Sequence, residues 1–268
     1  MPKPTSWPTY SVSGVKIAAL SPQHAAQLIA ARRVREVHLC TTHTLSEVDR
    51  DPKLRSALTL SDLNLPDGAP IAWLGRRSGV RTVVRGSDLV LDVMRAGNLQ
   101  GLSHYLYGGA PGIADRMKDC LEQKLHGVKV VGTECPPYRE LDDCEVAALG
   151  RRITSSGAAV AWIGLGTPKQ DHLVHRLAPY TEATLVPVGA AFDFISGNVE
   201  QAPPWLHGSG WEWLYRLTRE PKRLWRRYLI GGPRFVIVAR RHARHRRARQ
   251  AEEGQCHTKR WAHSLKSI

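Results

Sequence analysis

The 268-residue sequence has no apolar run near the length needed to cross a bilayer. Its longest, near Ala158–Leu165 and Phe235–Ala239, fall far short. It opens without an apolar segment of signal-peptide type, so the expectation is a cytosolic protein or one peripheral on a membrane. The five cysteines (Cys40, Cys120, Cys135, Cys144 and Cys256) are odd in number and show no C-x-x-C spacing. That argues against a disulfide framework and against a zinc site. No histidine pair has H-E-x-x-H spacing. A Walker motif is missing, and so is G-x-G-x-x-G after the first strand, which removes the NAD-type oxidoreductase reading.

Acidic residues are scarce in one region. Residues 1–204 carry 22 Lys+Arg against 20 Asp+Glu, whereas residues 205–268 carry 16 against 4. Nearly all of the net charge of +14 therefore sits in the last quarter. Such a basic end calls for an anionic partner: a membrane surface, a phosphorylated substrate or nucleic acid. Hydrophobic content of 42% is that of a globular chain able to bury a full core.

Apolar strands alternate with helices. Strands are expected at Glu36–Cys40, His104–Tyr107, Val128–Val131, Ala158–Ile163 and Thr184–Val188. Ser21-Pro22 opens a helix, as N-cap and first-turn proline. Further helices are expected over Leu45–Leu60, Pro70–Leu74, from Gly86 toward Met94, along Ile113–Leu121, over Asp142–Ser155 and up to Arg176. This pattern predicts an α/β fold, with Rossmann-like parallel sheets flanked by helices. Residues 1–14 read as a loose arm, 15–204 as the α/β core, 205–239 as a basic helical C-terminal appendage and 240–268 as a disordered Arg/His-rich tail.

In parallel sheets ligands collect beyond the carboxyl ends of strands. Three turns of this chain fall there. Leu65-Pro66-Asp67-Gly68 holds a carboxylate between a residue of fixed φ and one free to take positive φ. Pro-Asp-Gly is also a common surface turn. Gly108-Gly109-Ala110-Pro111-Gly112 joins a strand to a helix, where backbone N–H groups can meet a phosphate; an ordinary tight turn looks the same. Gly164-Leu165-Gly166-Thr167-Pro168-Lys169-Gln170 adds a cation and an amide, and otherwise reads as a capped helix start. Asp49-Arg50-Asp51 has the D-x-D spacing of some metal sites, but inside a predicted helix it reads as a solvated face. His43 is the one histidine near the expected crevice. The C-terminal run mixes Trp211, Leu214, Leu217 and Trp225 with arginines, which suits an interfacial amphipathic helix or a nucleic-acid grip.

Taken in order, these motifs resemble the WecG/TagA/CpsF glycosyltransferases of bacterial surface polysaccharide assembly. The matching pieces are the Asp67 turn, Arg85-Gly86-Ser87-Asp88-Leu89, Tyr107–Gly112, Gly164–Asp171, Val188–Phe194 with Ala202-Pro203, Trp211–Leu217 and Glu220-Pro221-Lys222-Arg223. The resemblance spans roughly residues 15–230. It implies metal-independent, inverting transfer of a sugar from a UDP-sugar to a polyprenyl-diphosphate-linked saccharide at the cytoplasmic membrane face, with no cofactor and no nucleic acid. It implies Asp67 as general base. Substrate contacts would come from Thr41, His43, Arg85, Gly108, Gly109, Gly164, Gly166, Lys169, Gln170 and Asp193. Arg216, Arg223, Arg226 and Arg227 of the appendage would meet the diphosphate. The chain departs from the family pattern in two places. Thr-x-Asn after the first strand becomes Leu39 and Thr41, with His43 fitting a variant, and Gln-Glu becomes Gln170-Asp171. Donor sugar, acceptor glycan and homo-oligomerisation stay open.

Overall fold

The computed structural model describes residues 7–80, 82–206, 211–219, 221–225, 229, 231–242 and 244. Its strands are β1 (Thr9–Val12), β2 (Val15–Ala18), β3 (Val37–Cys40), β4 (Leu63–Pro66), β5 (Ser103–Gly108), β6 (Lys129–Glu134), β7 (Val160–Gly164) and β8 (Thr184–Pro187). Its helices are α1 (Pro22–Ala30), α2 (Thr42–Glu47), α3 (Pro52–Leu60), α4 (Ala69–Leu74), α5 (Gly86–Gly97), α6 (Ile113–Lys124), α7 (Asp143–Ser155), α8 (Lys169–Leu177), α9 (Ala191–Ile195), α10 (Glu212–Arg219) and α11 (Pro221–Trp225). Residues 231–242 are also helical.

The expected α/β architecture is present. Four parallel strands run in the order β6-β5-β7-β8, and β3 pairs with β4 in a second parallel unit. A single parallel bridge, Glu36 to Leu185, and the Leu185 N–H bonded to the Arg35 carbonyl at 2.7 Å join β3 to the edge of β8. β3, β4, β7 and β8 are buried along almost their whole length because both sheet faces are covered there, whereas the edge strand β6 is largely exposed. On β7, Val160 and Trp162 enter one cluster with α1, α5, α6 and α9. Ala161 and Ile163 enter another with α7 and α8. Among the described residues no helix is long and apolar enough to cross a membrane.

Helix starts follow local chemistry. The Ser21 hydroxyl accepts from the His24 N–H at 3.1 Å, and Pro22 occupies the first turn. Asp142 and Glu145 form a reciprocal capping box on α7.

Three expectations change. The predicted helix Leu45–Leu60 is two helices, α2 and α3. Asp51 caps α3 by accepting from Leu54 N–H at 2.9 Å, and Pro52 sets its first turn. The D-x-D pair thus lies at a helix break. Asp51 is a cap, while Asp49 bonds Arg55 and pairs with His242 at 2.9 Å. The arm expected through residue 14 is ordered from Trp7. β1 pairs antiparallel with β2, joined at Ser13 and Gly14, both with positive φ.

The third change concerns the C-terminus. Phe235 is buried with Val12, Ile17, Leu45, Leu54 and Ile71 in a third cluster, and Arg234 pairs with Glu47 at 3.0 Å. The segment 231–242 is therefore docked on the core, and residues 240–242 continue its helix rather than starting a disordered tail. Arg226 and Arg227 lie outside the described residues, as does the tail from 245 onward.

Candidate active site

Asp67 follows β4 directly. The β3–β4 register pairs Cys40 with Pro66, and the Asp67 N–H donates to the Cys40 carbonyl at 3.0 Å. Gly68 then takes φ +94°, the positive value that lets the chain turn into α4. The next loop is tied to the same turn, because the Val84 N–H donates to the Pro66 carbonyl at 2.9 Å. That bond places Arg85, the residue before α5, beside the Asp67 turn. Gly86 packs where an added Cβ would lie 3.0 Å from the Val188 carbonyl, so α5 abuts the end of β8.

These elements enclose a cavity of about 90 Å³ at the carboxyl ends of β3, β4 and β8. Thr41, Asp67, Arg85, Gly166 and Gln170 line it, together with Gly189. Thr41 comes from the N-cap of α2, where its hydroxyl accepts from Thr44 N–H at 3.1 Å. Gln170 is buried, and its Oε1 accepts the Gly166 N–H at 3.0 Å. The Gln170 side chain thus spans from the Gly166 turn toward Gly189, whose Cβ position is 3.2 Å from the same oxygen.

A second cavity of about 900 Å³ lies at the ends of β5, β6 and β7. Gly109, Gly164, Leu165 and Lys169 line it, with Tyr107, Lys53, Arg139 and Arg176. Burial, followed by the charge of Glu134, pushes the Tyr107 phenol up to about 12. Arg139 and Arg176 are taken up by Glu145 and Asp143, at 2.5 and 2.7 Å. Lys53 and Lys169 have no ion-pair partner among the described residues. The single crevice expected from the turns is therefore two cavities sharing one wall. Across the 164–170 turn, Gly164 and Lys169 face the larger and Gly166 and Gln170 the smaller.

Two glycines are required by packing. A Cβ on Gly108 would lie 2.5 Å from the Gly164 Cα, and one on Gly164 would lie 2.4 Å from the Phe192 ring. The ends of β5 and β7 approach this closely because neither residue has a side chain. Three residues expected in the site, Gly108, Asp193 and His43, line neither of these two cavities. Asp193 on α9 accepts from the Asn198 amide at 2.9 Å, and His43 lies in the first turn of α2 without lining either. Arg216 and Arg223 fall on α10 and α11.

Residues 10–249 match the model of the glycosyl transferase WecG/TagA/CpsF family. The chain belongs to this family. One relative is the N-acetylglucosaminyldiphosphoundecaprenol N-acetyl-beta-D-mannosaminyltransferase of Bacillus spizizenii strain W23. It is 26% identical over 201 residues, covering 74% of this chain and 76% of the relative. A protein of the same name from Bacillus subtilis strain 168 is 23% identical over 213 residues, covering 78% and 80%.

In this member of the WecG/TagA/CpsF family, sequence reasoning missed a buried charged cluster beside the cavity. His38 on β3 and Asp171 on α8 are both fully buried, with Nδ1 and Oδ1 2.8 Å apart. His38 Nε2 lies 3.1 Å from Glu36, which also lies 3.1 Å from His175. Burial alone would lower the His38 pKa. Hydrogen bonds to Asp171 and Glu36, and the charges of both, outweigh it and raise the value to about 9. Asp171 thus faces the core and lines neither cavity.

Proposed function

We propose that this protein is an inverting, metal-independent glycosyltransferase. In this reading it moves a sugar from a UDP-sugar to a polyprenyl-diphosphate-linked saccharide during cell-surface polysaccharide synthesis. The observation that carries the reading is the convergence of Thr41, Asp67, Arg85, Gly166 and Gln170 on one small cavity beside a larger basic one. The relatives' names, which specify a diphosphoundecaprenol-linked acceptor and a mannosaminyl product, support the acceptor class.

The chemistry needs one base. Asp67 takes the proton of the acceptor hydroxyl as that oxygen attacks the anomeric carbon, and the bond from that carbon to UDP breaks with inversion. Charge then builds on the leaving diphosphate. Arg85, Lys169 and turn N–H groups stabilise it, and the appendage arginines Arg216, Arg223, Arg226 and Arg227 supply further positive charge. The larger cavity has the volume for a nucleotide and an excess of Lys and Arg around it. No cofactor takes part.

The protein works on the inner face of the membrane. Exposed Trp205, Trp211 and Trp225 among the arginines of 205–228 suit an anionic lipid surface. A panel of UDP-sugars with lipid-linked acceptor analogues, scored by UDP release, tests the reading. One donor should release UDP only when acceptor is present; release from none contradicts it.

A further inference from the structure

The two parts of the cavity belong to different units of the fold. Thr41 and Asp67 are carried by the β3–β4 pair, whereas Gly166 and Gln170 are carried by the turn between β7 and α8. Their backbones meet at one parallel bridge, Glu36–Leu185, made with the Leu185 N–H on the Arg35 carbonyl, and the Thr184 hydroxyl donates to the Val34 carbonyl at 2.7 Å. The His38 cluster crosses this seam. Its histidine stands two residues before Cys40, whose carbonyl holds the Asp67 N–H, and its aspartate is the residue after Gln170.

We propose that His38 is a positioning residue. Clamped between Glu36 and Asp171, it holds the strand ends carrying Thr41 and Asp67 in fixed register with the α8 turn carrying Gln170. The inference rests on the glycosyl-transfer reading above.

Both ring nitrogens of His38 face carboxylate oxygens at hydrogen-bonding distance, so the doubly protonated ring donates to both. Apolar packing would bind the two elements equally well, since buried ion pairs add little net stability. The pair adds direction. Glu36 fixes the ring from one side, and the ring fixes the Asp171 carboxylate on the other, as partners behind a site orient its contact residues. The titratable groups around the ring are Glu36 just before β3, Cys40 on β3, Asp171 on α8, and His175 through Glu36. Asp67 is close enough to raise the Cys40 thiol, after burial and the Asp171 charge. The clamp and the proposed base therefore share one electrostatic neighbourhood.

Four full-length variants test this: His38→Asn, Asp171→Asn, their double and Asp171→Glu. They are assayed by UDP release and by amide hydrogen exchange. His38→Asn and Asp171→Asn should each lower kcat about tenfold or more with donor KM within about twofold, the scale of a small misplacement. The double variant should be no worse than the poorer single, because one interaction is lost once. Asp171→Glu should keep most of the activity, since it retains the carboxylate. Amide exchange should quicken together at Asp67 and Gln170, with β5 unchanged. Wild-type kcat in the single variants, additive losses, or faster exchange confined to α8 would overturn the proposal. Wild-type protein that releases UDP from no donor refutes the glycosyl-transfer reading instead, and the exchange comparison still decides the clamp.

Discussion

The Asp67 N–H and the Cys40 carbonyl are 3.0 Å apart, so the turn that carries the carboxylate is hydrogen-bonded to the end of the neighbouring strand. The Val84 N–H on the Pro66 carbonyl adds a second tie at 2.9 Å. Asp67 is held at its own N–H, and the Pro66–Val84 bond lies one residue before both Asp67 and Arg85. Backbone hydrogen bonds of the sheet and its loops therefore bring the two turns together.

Replacing Arg85 with Ala should therefore leave the fold intact and damage transfer. Its charge is proposed to meet the leaving diphosphate. Losing such a group costs about 2.7–4 kcal/mol of transition-state stabilisation, or about 10²–10³ in kcat/KM. Steady-state kinetics with the preferred donor check this, alongside an unchanged thermal transition.

Gly108→Ala should act through stability. The added methyl would meet the Gly164 backbone at 2.5 Å, where nothing flexible can yield. A loss of at least about 2 kcal/mol is expected from forcing the strands apart. Denaturant melts of the variant against wild type measure it.

Stability should fall as pH rises through the His38 titration. The folded-state pKa is raised to about 9, above the unfolded value near 6.5. The stabilisation is fully present below about 6.5 and is lost as pH climbs through about 9. Urea melts between pH 6 and 10 should show the decline in wild type. The same decline should be much reduced in His38→Asn.

Phe235→Ala should destabilise the core, although Phe235 lies in the segment read from sequence as an appendage. Its ring is buried against β1, β2, α2, α3 and α4. Truncating a buried Phe costs about 3–5 kcal/mol, so the thermal midpoint should drop by several degrees. For the same reason, deleting everything from Trp205 onward should expose Val12, Ile17 and Leu45 and favour aggregation, which light scattering would detect.

The strand and helix order was legible because strands covered on both faces read as continuous apolar runs. The break between α2 and α3 was not, since Leu45, Leu54 and Leu58 keep one apolar face across it. Only Asp51-Pro52 marks the new start. β1 was hidden by Pro, Ser and Thr around it, yet Ser13-Gly14 between Val12 and Val15 is a two-residue hairpin signal. In the candidate site, the turns announced themselves through glycine and proline. His38 did not, because its partner Asp171 lies 133 residues away and only the fold brings them together. The division into two cavities was equally invisible, since it depends on which way each residue of the 164–170 turn faces.

The central claim is that Asp67 is the general base. Its most direct test is UDP release by Asp67→Asn, with the preferred UDP-sugar and a lipid-linked acceptor, beside a binding measurement with UDP. The account predicts a fall in kcat of about 10²–10⁴, the usual contribution of a positioned base, with UDP affinity retained. A variant that transfers sugar at the wild-type rate would contradict it.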